Sequence, residues 1–381
     1  MHLELTDEQK ILQQTVREFT EQEVKPLARH LDESGEFPRE TFRKAAELGL
    51  TGVAFPDQLG GAGFDHLAYT IVIEEISRAC ASTGAILSVQ NSLYCDPLYR
   101  YGADEQKQRL LVPFLRGEKI GCFALTEPQA GSNAAALATK GVLKGDRYIV
   151  NGTKAWITCG GVADACVLFV NTDPSKGEKG ITALILEKGM PGFKVGKEEK
   201  KMGINATACV ELSFSDCEVP VSNRLGKEGE GYKIALATLD GGRIGIAAQA
   251  VGIAQGAFEE ALKYSQQRTA FGQPISSFQA IQFMLSDMAT EIDAARLLTR
   301  KAAWKQDTGA RFSMEAAIAK LFASEMATRV THKAIQVHGG YGYSREYPVE
   351  RMYRDARITE IYEGTSEIQR LVIAAWVLKS Y

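Results

Sequence analysis

Apolar positions recur at helical spacing from the start of the chain. Leu12, Val16 and Phe19 share a face, the pattern resumes after Pro38, and it returns between Ala68 and Ala79. The first third therefore predicts helices. Around Gly121 the texture changes to short β-rich runs: Gly121 to Leu125, Tyr148 to Val150, Ala165 to Val170, Ile181 to Leu186 and Cys209 to Phe214. Gly145-Asp146, Asn151-Gly152, Asp173-Pro174 and Pro191-Gly192 punctuate them as turn residues. From about Gly231 the helical period resumes, most clearly in Ile281, Met284, Leu285, Met288 and Ile292, and it persists almost to Tyr381. The predicted class is α+β, with a helical domain over 1–120, a β domain over 121–230 and a helical bundle over 231–381. Gly241, Gly245, Gly252 and Gly256 put small residues on the first helix of that bundle, which suits close helix-helix contact.

A chain of 381 residues exceeds one usual hydrophobic core, which agrees with several domains. Lys plus Arg total 44 against 47 for Asp plus Glu, without blocks of like charge, so nucleic acid is not an expected partner. The longest apolar run, Leu371 to Leu378, falls short of the roughly 18 residues a bilayer span needs, and Met1-His2-Leu3-Glu4 lacks a signal pattern. The expectation is no membrane and a cytoplasmic (bacterial) location, or the mitochondrial matrix if the chain is a trimmed organellar form. Seven cysteines (80, 95, 122, 159, 166, 209, 217) occur without a C-x-x-C pair, as expected of buried, reduced thiols. Metal-ligand spacing is absent, and no G-x-G-x-x-G follows a strand.

Four segments carry candidate chemistry. Ile361-Tyr362-Glu363-Gly364-Thr365-Ser366 sets one carboxylate among apolar or aromatic neighbours and a glycine. Apolar surroundings raise a carboxylate's pKa, so Glu363 is a candidate base, and Gly364 permits close approach of a ligand or a backbone amide. A surface Glu before a helix capped by Ser366 is the plainer alternative on these residues alone. Leu125 to Asn133 ends an apolar run in a loop of hydroxyls and small residues that suits a planar or anionic ligand, or simply a solvated domain edge. Asn151 to Thr158 puts Trp156 on a predicted strand, either walling off a flat cofactor or filling a core. Gln267 to Ile275 interrupts two helices with a cation, an aromatic and Gly/Pro punctuation, which suits pyrophosphate binding or a helix-helix turn equally.

Together these segments resemble the acyl-CoA dehydrogenase family over essentially the whole chain. Leu125 to Ser132 (L-T-E-P-x-A-G-S) matches one family signature, and Gln336-Val337-His338-Gly339-Gly340-Tyr341-Gly342 with Arg354-Asp355-Ala356 matches another. Arg268, Phe271, Gly272 and Gln279 match a flavin-binding turn, and I-Y-E-G-T-S-E-I-Q at Ile361 to Gln369 is similar to the catalytic segment of short- and medium-chain members. The resemblance implies an N-terminal helical domain, a middle β domain and a C-terminal four-helix bundle, assembled as a homotetramer, a dimer of dimers. It implies FAD, its isoalloxazine near Phe123, Leu125, Thr126, Trp156 and Thr158, with Thr365 and Glu367 close by. The adenine and pyrophosphate would reach Arg268, Phe271, Gln279, Gln336 and Gly340, partly from a neighbouring subunit.

In the implied reaction Glu363 takes the pro-R α-proton of an acyl-CoA while the β-hydrogen leaves as hydride to flavin N5, giving a trans-2-enoyl-CoA, and electrons pass to an electron transfer flavoprotein. The base residue's own N-H and a flavin ribityl hydroxyl would stabilise the enolate oxygen. Ser132, Asp240 and Arg243 match residues that hold CoA, Tyr362 and Gly364 flank the substrate, and Glu127 reads as structural. Some relatives carry the base where this chain has Gly242, which leaves Glu363 as the candidate. Asn133 replaces a usual Asp; Asn205 and Cys209 replace a usual Arg and Thr, bearing on middle-domain contacts. Glu74 to Arg78, Cys80 to Gly84 and Gly242 to Gln249 are most similar to short-chain, butyryl-CoA members. Gln249 and Thr359 are expected at the end of the acyl tail, where a buried amide fills volume and faces methylenes with its polar atoms unpaired. An acyl-CoA oxidase-type flavoenzyme and a non-catalytic flavin- or CoA-binding scaffold are the alternative functions.

Overall fold

A computed structural model describes residues 4–380; Met1 to Leu3 and Tyr381, at the outer edges of the expected domains, lie outside the described residues. Helix α1 (Asp7–Phe19) opens on a capping box in which Thr6 Oγ1 accepts from Gln9 N–H and the Gln9 side chain accepts from Thr6 N–H. The helices α2 (Ala28–Ser34), α3 (Arg39–Glu47), α4 (His66–Ala79), α5 (Ala81–Ser88), α6 (Asp96–Tyr101), α7 (Asp104–Leu110) and α8 (Val112–Leu115) follow. Nearly every residue of α4 is buried, because it packs against α1, α5 and two later helices.

Eight strands then form one sheet: β1 (Gly121–Ala124), β2 (Lys140–Lys144), β3 (Arg147–Ile157), β4 (Ala165–Asn171), β5 (Ile181–Glu187), β6 (Phe193–Glu198), β7 (Val210–Pro220) and β8 (Arg224–Leu225). Their order is β6-β7-β3-β2-β4-β5-β8, with β1 parallel beside β4. Leu168 and Val170 enter a core shared with Val16 and Ile73, whereas Val167 and Phe169 enter a second core under Leu98, Leu110 and Phe114. Burial on both faces explains why β4 reads as a continuous apolar run. The periodicity missed β2 and β6, whose lysines and solvent exposure blur alternation, and the two-residue β8. Asn151-Gly152 is not a turn: β3 runs through it, with a bulge between Val150 and Gly152 and the Asn151 side chain bonded to Asp216.

The last third contains α9 (Gly231–Gln267), α10 (Gln279–Asp307), α11 (Ser313–His338), α12 (Val349–Ile358) and α13 (Ser366–Ser380). The three long helices α9, α10 and α11 pack together, α13 lies against α11 as the fourth, and α12 packs on α9 and α11. Alanines such as Ala247, Ala254, Ala316, Ala323 and Ala327 let the backbones approach. Three α9 glycines face α4: a Cβ at Gly245, Gly252 or Gly256 would stand 2.4 Å from Tyr69 Oη, 2.3 Å from Glu74 O or 2.1 Å from Arg78 O. The turn after α9 is a hairpin of β9 (Thr269–Ala270) and β10 (Gln273–Pro274) rather than a simple helix-helix turn. Phe271 (φ 51°) and Gly272 (φ 82°) supply its two left-handed positions.

One carboxylate joins the three regions. Asp32 of α2 receives Arg354 of α12 at 2.6 and 3.0 Å, and its Oδ1 also receives Asn205 Nδ2 at 2.9 Å from the loop before β7. Asp355 beside it accepts Ile204 N–H at 2.6 Å, and burial pushes that carboxyl up to about 6. No helix among the described residues is long and apolar enough to cross a membrane, and all seven cysteines are buried and free.

Candidate active site

The segment after α12 folds back on itself before α13 begins. Tyr362 N–H bonds to Ile358 O and Ser366 N–H to Glu360 O, and between them Glu363 and Gly364 adopt φ 52° and 94°. A glutamate in the left-handed region is strained unless its surroundings fix it. Gln369 does part of this, its Nε2 donating to Glu363 O at 3.2 Å and Gly364 O at 2.8 Å. Lys320 of α11, fully buried, adds a bond from Nζ to Gly364 O at 2.7 Å. Thr365, not Ser366, caps α13: its Oγ1 accepts Ile368 N–H at 3.3 Å, while Ser366 Oγ has no partner among the described residues. The left-handed turn places the capping hydroxyl one residue earlier than the sequence suggests.

This turn aims the Glu363 side chain inward. As a whole residue Glu363 is half-buried, but its Oε2 is closed off from solvent and lacks a hydrogen-bond partner among the described residues. Oε2 thus lies in the interior while the residue keeps some exposed surface. Burial pushes it up to about 7, against the opposing pull of Lys320 and Arg243. Gly242 of α9 makes the room, since a Cβ there would stand 2.0 Å from Oε2 and 3.0 Å from Leu93 Cδ2. Arg243 is also buried, donating to Asp240 Oδ1 at 2.6 Å, and Ser313 holds the other Asp240 oxygen. Burial lowers the Arg243 guanidinium and pushes Lys320 down to about 8.

Gln249 lies two helical turns beyond Gly242 on α9, fully buried. Its amide is paired rather than unsatisfied: Nε2 donates to Ala81 O at 2.9 Å, and Oε1 accepts from the Tyr362 hydroxyl. The same residue therefore fills volume and braces the base segment. Thr359 is buried at the end of α12, but its hydroxyl is spent on Ala356 O at 2.7 Å.

A second group gathers at one rim of the sheet. Ala155 N–H donates to Thr126 O at 2.9 Å, drawing the end of β1 (Phe123, with Leu125 and Thr126 just beyond) to the end of β3 (Trp156, with Thr158 just beyond). Trp156 has φ 60° and is 57 % exposed, so it is not a core residue. A strained backbone that presents an indole to solvent beside two threonines and an apolar floor fits a flat, polar-edged ring. Glu127 is structural, as expected: buried, it accepts Ala138 and Thr139 N–H groups and pairs with fully buried Lys154 at 2.8 Å. That pair ties the loop down, while Ser132 at its tip is exposed.

The remaining candidates stand apart. Arg268, Phe271, Gln279, Gln336 and Gly340 lie exposed at the far end of the bundle, with Arg268 over the Tyr341 ring at 5.8 Å and Phe271 96 % exposed. At about 1.5 Å of rise per residue, Arg268 is roughly 39 Å along α9 from Gly242. One chain therefore does not bring these residues to the base. Glu367 is exposed in the first turn of α13. Sequence reasoning missed Lys320, Gln369 and the Leu93 contact; only the missing side chain at Gly242 pointed toward a neighbour.

Three family descriptions match the chain: acyl-CoA dehydrogenase N-terminal domain over 6–118, middle domain over 122–217 and C-terminal domain over 229–378. Over 379 residues it is 52% identical to the short-chain specific acyl-CoA dehydrogenase of Clostridium acetobutylicum, covering 100% of both chains. It is 53% identical to the mitochondrial short-chain specific enzyme of Mus musculus, covering 100% of this chain and 92% of that one. The butyryl-CoA dehydrogenase structure from Megasphaera elsdenii superimposes with a TM-score of 0.97 at 46% identity, covering 99% of this chain and 100% of that one. A chain in the structure of an electron transferring flavoprotein of Acidaminococcus fermentans gives 0.98 at 50% identity over 100% of both.

Proposed function

This chain belongs to the acyl-CoA dehydrogenase family, and we propose that it oxidises a short-chain acyl-CoA to the trans-2-enoyl-CoA with Glu363 as the base. The observation that carries the proposal is the Glu363 carboxylate, enclosed, without a partner on Oε2 and pushed up to about 7. An α-proton beside a thioester is weakly acidic, so its acceptor must be basic near neutral pH and already in place. Glu363 takes that proton on its carboxylate, and its own N–H is one of the two donors assigned to the enolate oxygen. FAD is the cofactor of this family and would supply, when bound, the acceptor at N5 for the β-hydrogen that leaves the substrate as hydride. Phe123, Leu125, Thr126, Trp156 and Thr158 hold its ring, with Thr365 and Glu367 nearby. Arg268, Phe271, Gln279, Gln336 and Gly340 bind the adenine and pyrophosphate of a cofactor seated mainly in a neighbouring subunit of a homotetramer.

Asp240 and Arg243 bind the CoA side together with Ser132, Tyr362 and Gly364 line the thioester, and Gln249 with Thr359 limits the tail to about four to six carbons. Electrons leave to an electron transfer flavoprotein. Three bodies divide this labour: 1–120, 121–230 and 231–381. The test is anaerobic titration of the purified flavoprotein with a panel of acyl-CoAs. Butyryl-CoA is expected to bleach the flavin, and Glu363→Gln to keep the flavin yet slow bleaching by several orders of magnitude. Near wild-type reduction in that variant removes Glu363 from the role.

A further inference from the structure

Lys320 touches the base segment, yet its position is hard to explain by packing. It sits on α11 with no exposed surface, amid Ala316, Ala317, Ala319 and Ala323, where an uncharged side chain would be cheaper to bury. Its ammonium donates at 2.7 Å to Gly364 O, the carbonyl immediately after the base. That carbonyl belongs to a turn in which Glu363 itself is left-handed. A second, independent observation is the buried Oε2 of Glu363, which lacks a hydrogen-bond partner among the described residues.

We propose that Lys320 is a positioning residue of the active site: from α11 its buried ammonium pins the Glu363–Gly364 turn at the Gly364 carbonyl, fixes where the base side chain points and sets a cation beneath the base segment. This rests on the reading of Glu363 as the base. The other charges around the pair do not replace it. Arg243 also pulls on Glu363 but is committed to Asp240 at 2.6 Å. Glu360 faces Lys320 yet pairs with Arg357 at 2.6 Å and accepts from Thr328, and Glu367, which also faces it, is exposed. The Tyr69 and Tyr362 phenols that face Glu363 are raised by burial and stay neutral over the working range. Gln369 shares the pinning but carries no charge.

Removing a nearby cation destabilises the carboxylate, so its pKa rises and the acid limb of kcat/KM moves to higher pH. The test compares wild type, Lys320→Met (no donor, no charge) and Lys320→Gln (a donor without charge), each flavin-loaded, with butyryl-CoA. Both variants are expected to shift the acid limb upward by about one pH unit. Lys320→Met is expected to lose ten- to a hundred-fold in kcat with KM changed less than three-fold, and Lys320→Gln to recover part of that loss. An acid limb that stays in place in flavin-loaded variants overturns the proposal, as does failure of both variants to fold, which would assign Lys320 to the core alone. Glu363→Gln, run in parallel, separates the two readings: if it stays active the base assignment has failed, whereas an inactive Glu363→Gln beside an unshifted Lys320→Met condemns only the role of Lys320.

Discussion

At Gly242 the chain gives up a side chain so that a carboxylate has somewhere to sit, and the margin is small. With a Cβ falling 2.0 Å from Oε2, Gly242→Ala must displace the Glu363 carboxyl. A displacement near 1 Å at a reacting group costs up to about a hundred-fold in rate, and overpacking costs about 1–3 kcal/mol. The variant is expected to retain flavin, lose ten- to a hundred-fold in flavin reduction rate by stopped flow, and melt a few degrees lower. Ionisation of Glu363 gives a second prediction. Its carboxyl is raised from 4.5 to about 7 in the fold, so the stability it contributes is fully present below its unfolded pKa and is lost as pH rises through about 7. Glu363→Gln keeps the neutral form at every pH. Its advantage in thermal denaturation should be below about 1 kcal/mol at pH 5 and grow to about 3 kcal/mol at pH 8, at about 1.4 kcal/mol per pKa unit. The apolar and aromatic neighbours of Glu363 announced this residue in the sequence. Lys320 gave no such signal, because a lysine in Ala-Ala-Ile-Ala-Lys-Leu-Phe reads as a solvated helix face until α11 is packed under Gly364.

Along α9 the small residues do two different jobs. Gly245, Gly252 and Gly256 seat the helix on α4, as their spacing suggested, whereas Gly242 opens space for the base. Spacing on one helix cannot separate those roles, since it does not say which element lies opposite. Gln249 on the same helix is held at both ends, by Ala81 O and the Tyr362 hydroxyl, so removing it both opens volume and strands two partners. Gln249→Gly is expected to raise the octanoyl-to-butyryl ratio of kcat/KM by a few-fold to tens-fold per carbon pair and to cost about 1–3 kcal/mol in chemical denaturation. An unchanged ratio would leave Gln249 as a brace alone. Strands with buried apolar runs, β4 and β5, were legible; β2 and β6, with lysines on exposed faces, were not. The bulge at Gly152 misled for a related reason: Asn-Gly marks turns by local chemistry, while here cross-strand pairing with β7 carries the chain straight on.

On the scale of the whole molecule, the base sits against Gly242, a third of the way along the 37-residue α9, and the Arg268 hairpin follows that helix's far end. If both serve a flavin, they serve different ones, and flavin retention should depend on assembly. Arg268→Ala is expected to release FAD and loosen the oligomer together, as followed by flavin fluorescence and light scattering. A flavin-saturated monomer at working concentration would contradict this. The order helices, strands, helices was readable because each region is long and uniform in period. The seams between regions were not, since they are made by single residues far apart in the chain. Asp32 is the plainest case, gripping Arg354 and Asn205 at once from a short helix with no motif of its own. A bolt through three plates stiffens that seam, and cutting it at Asp32 is expected to loosen all three regions at once.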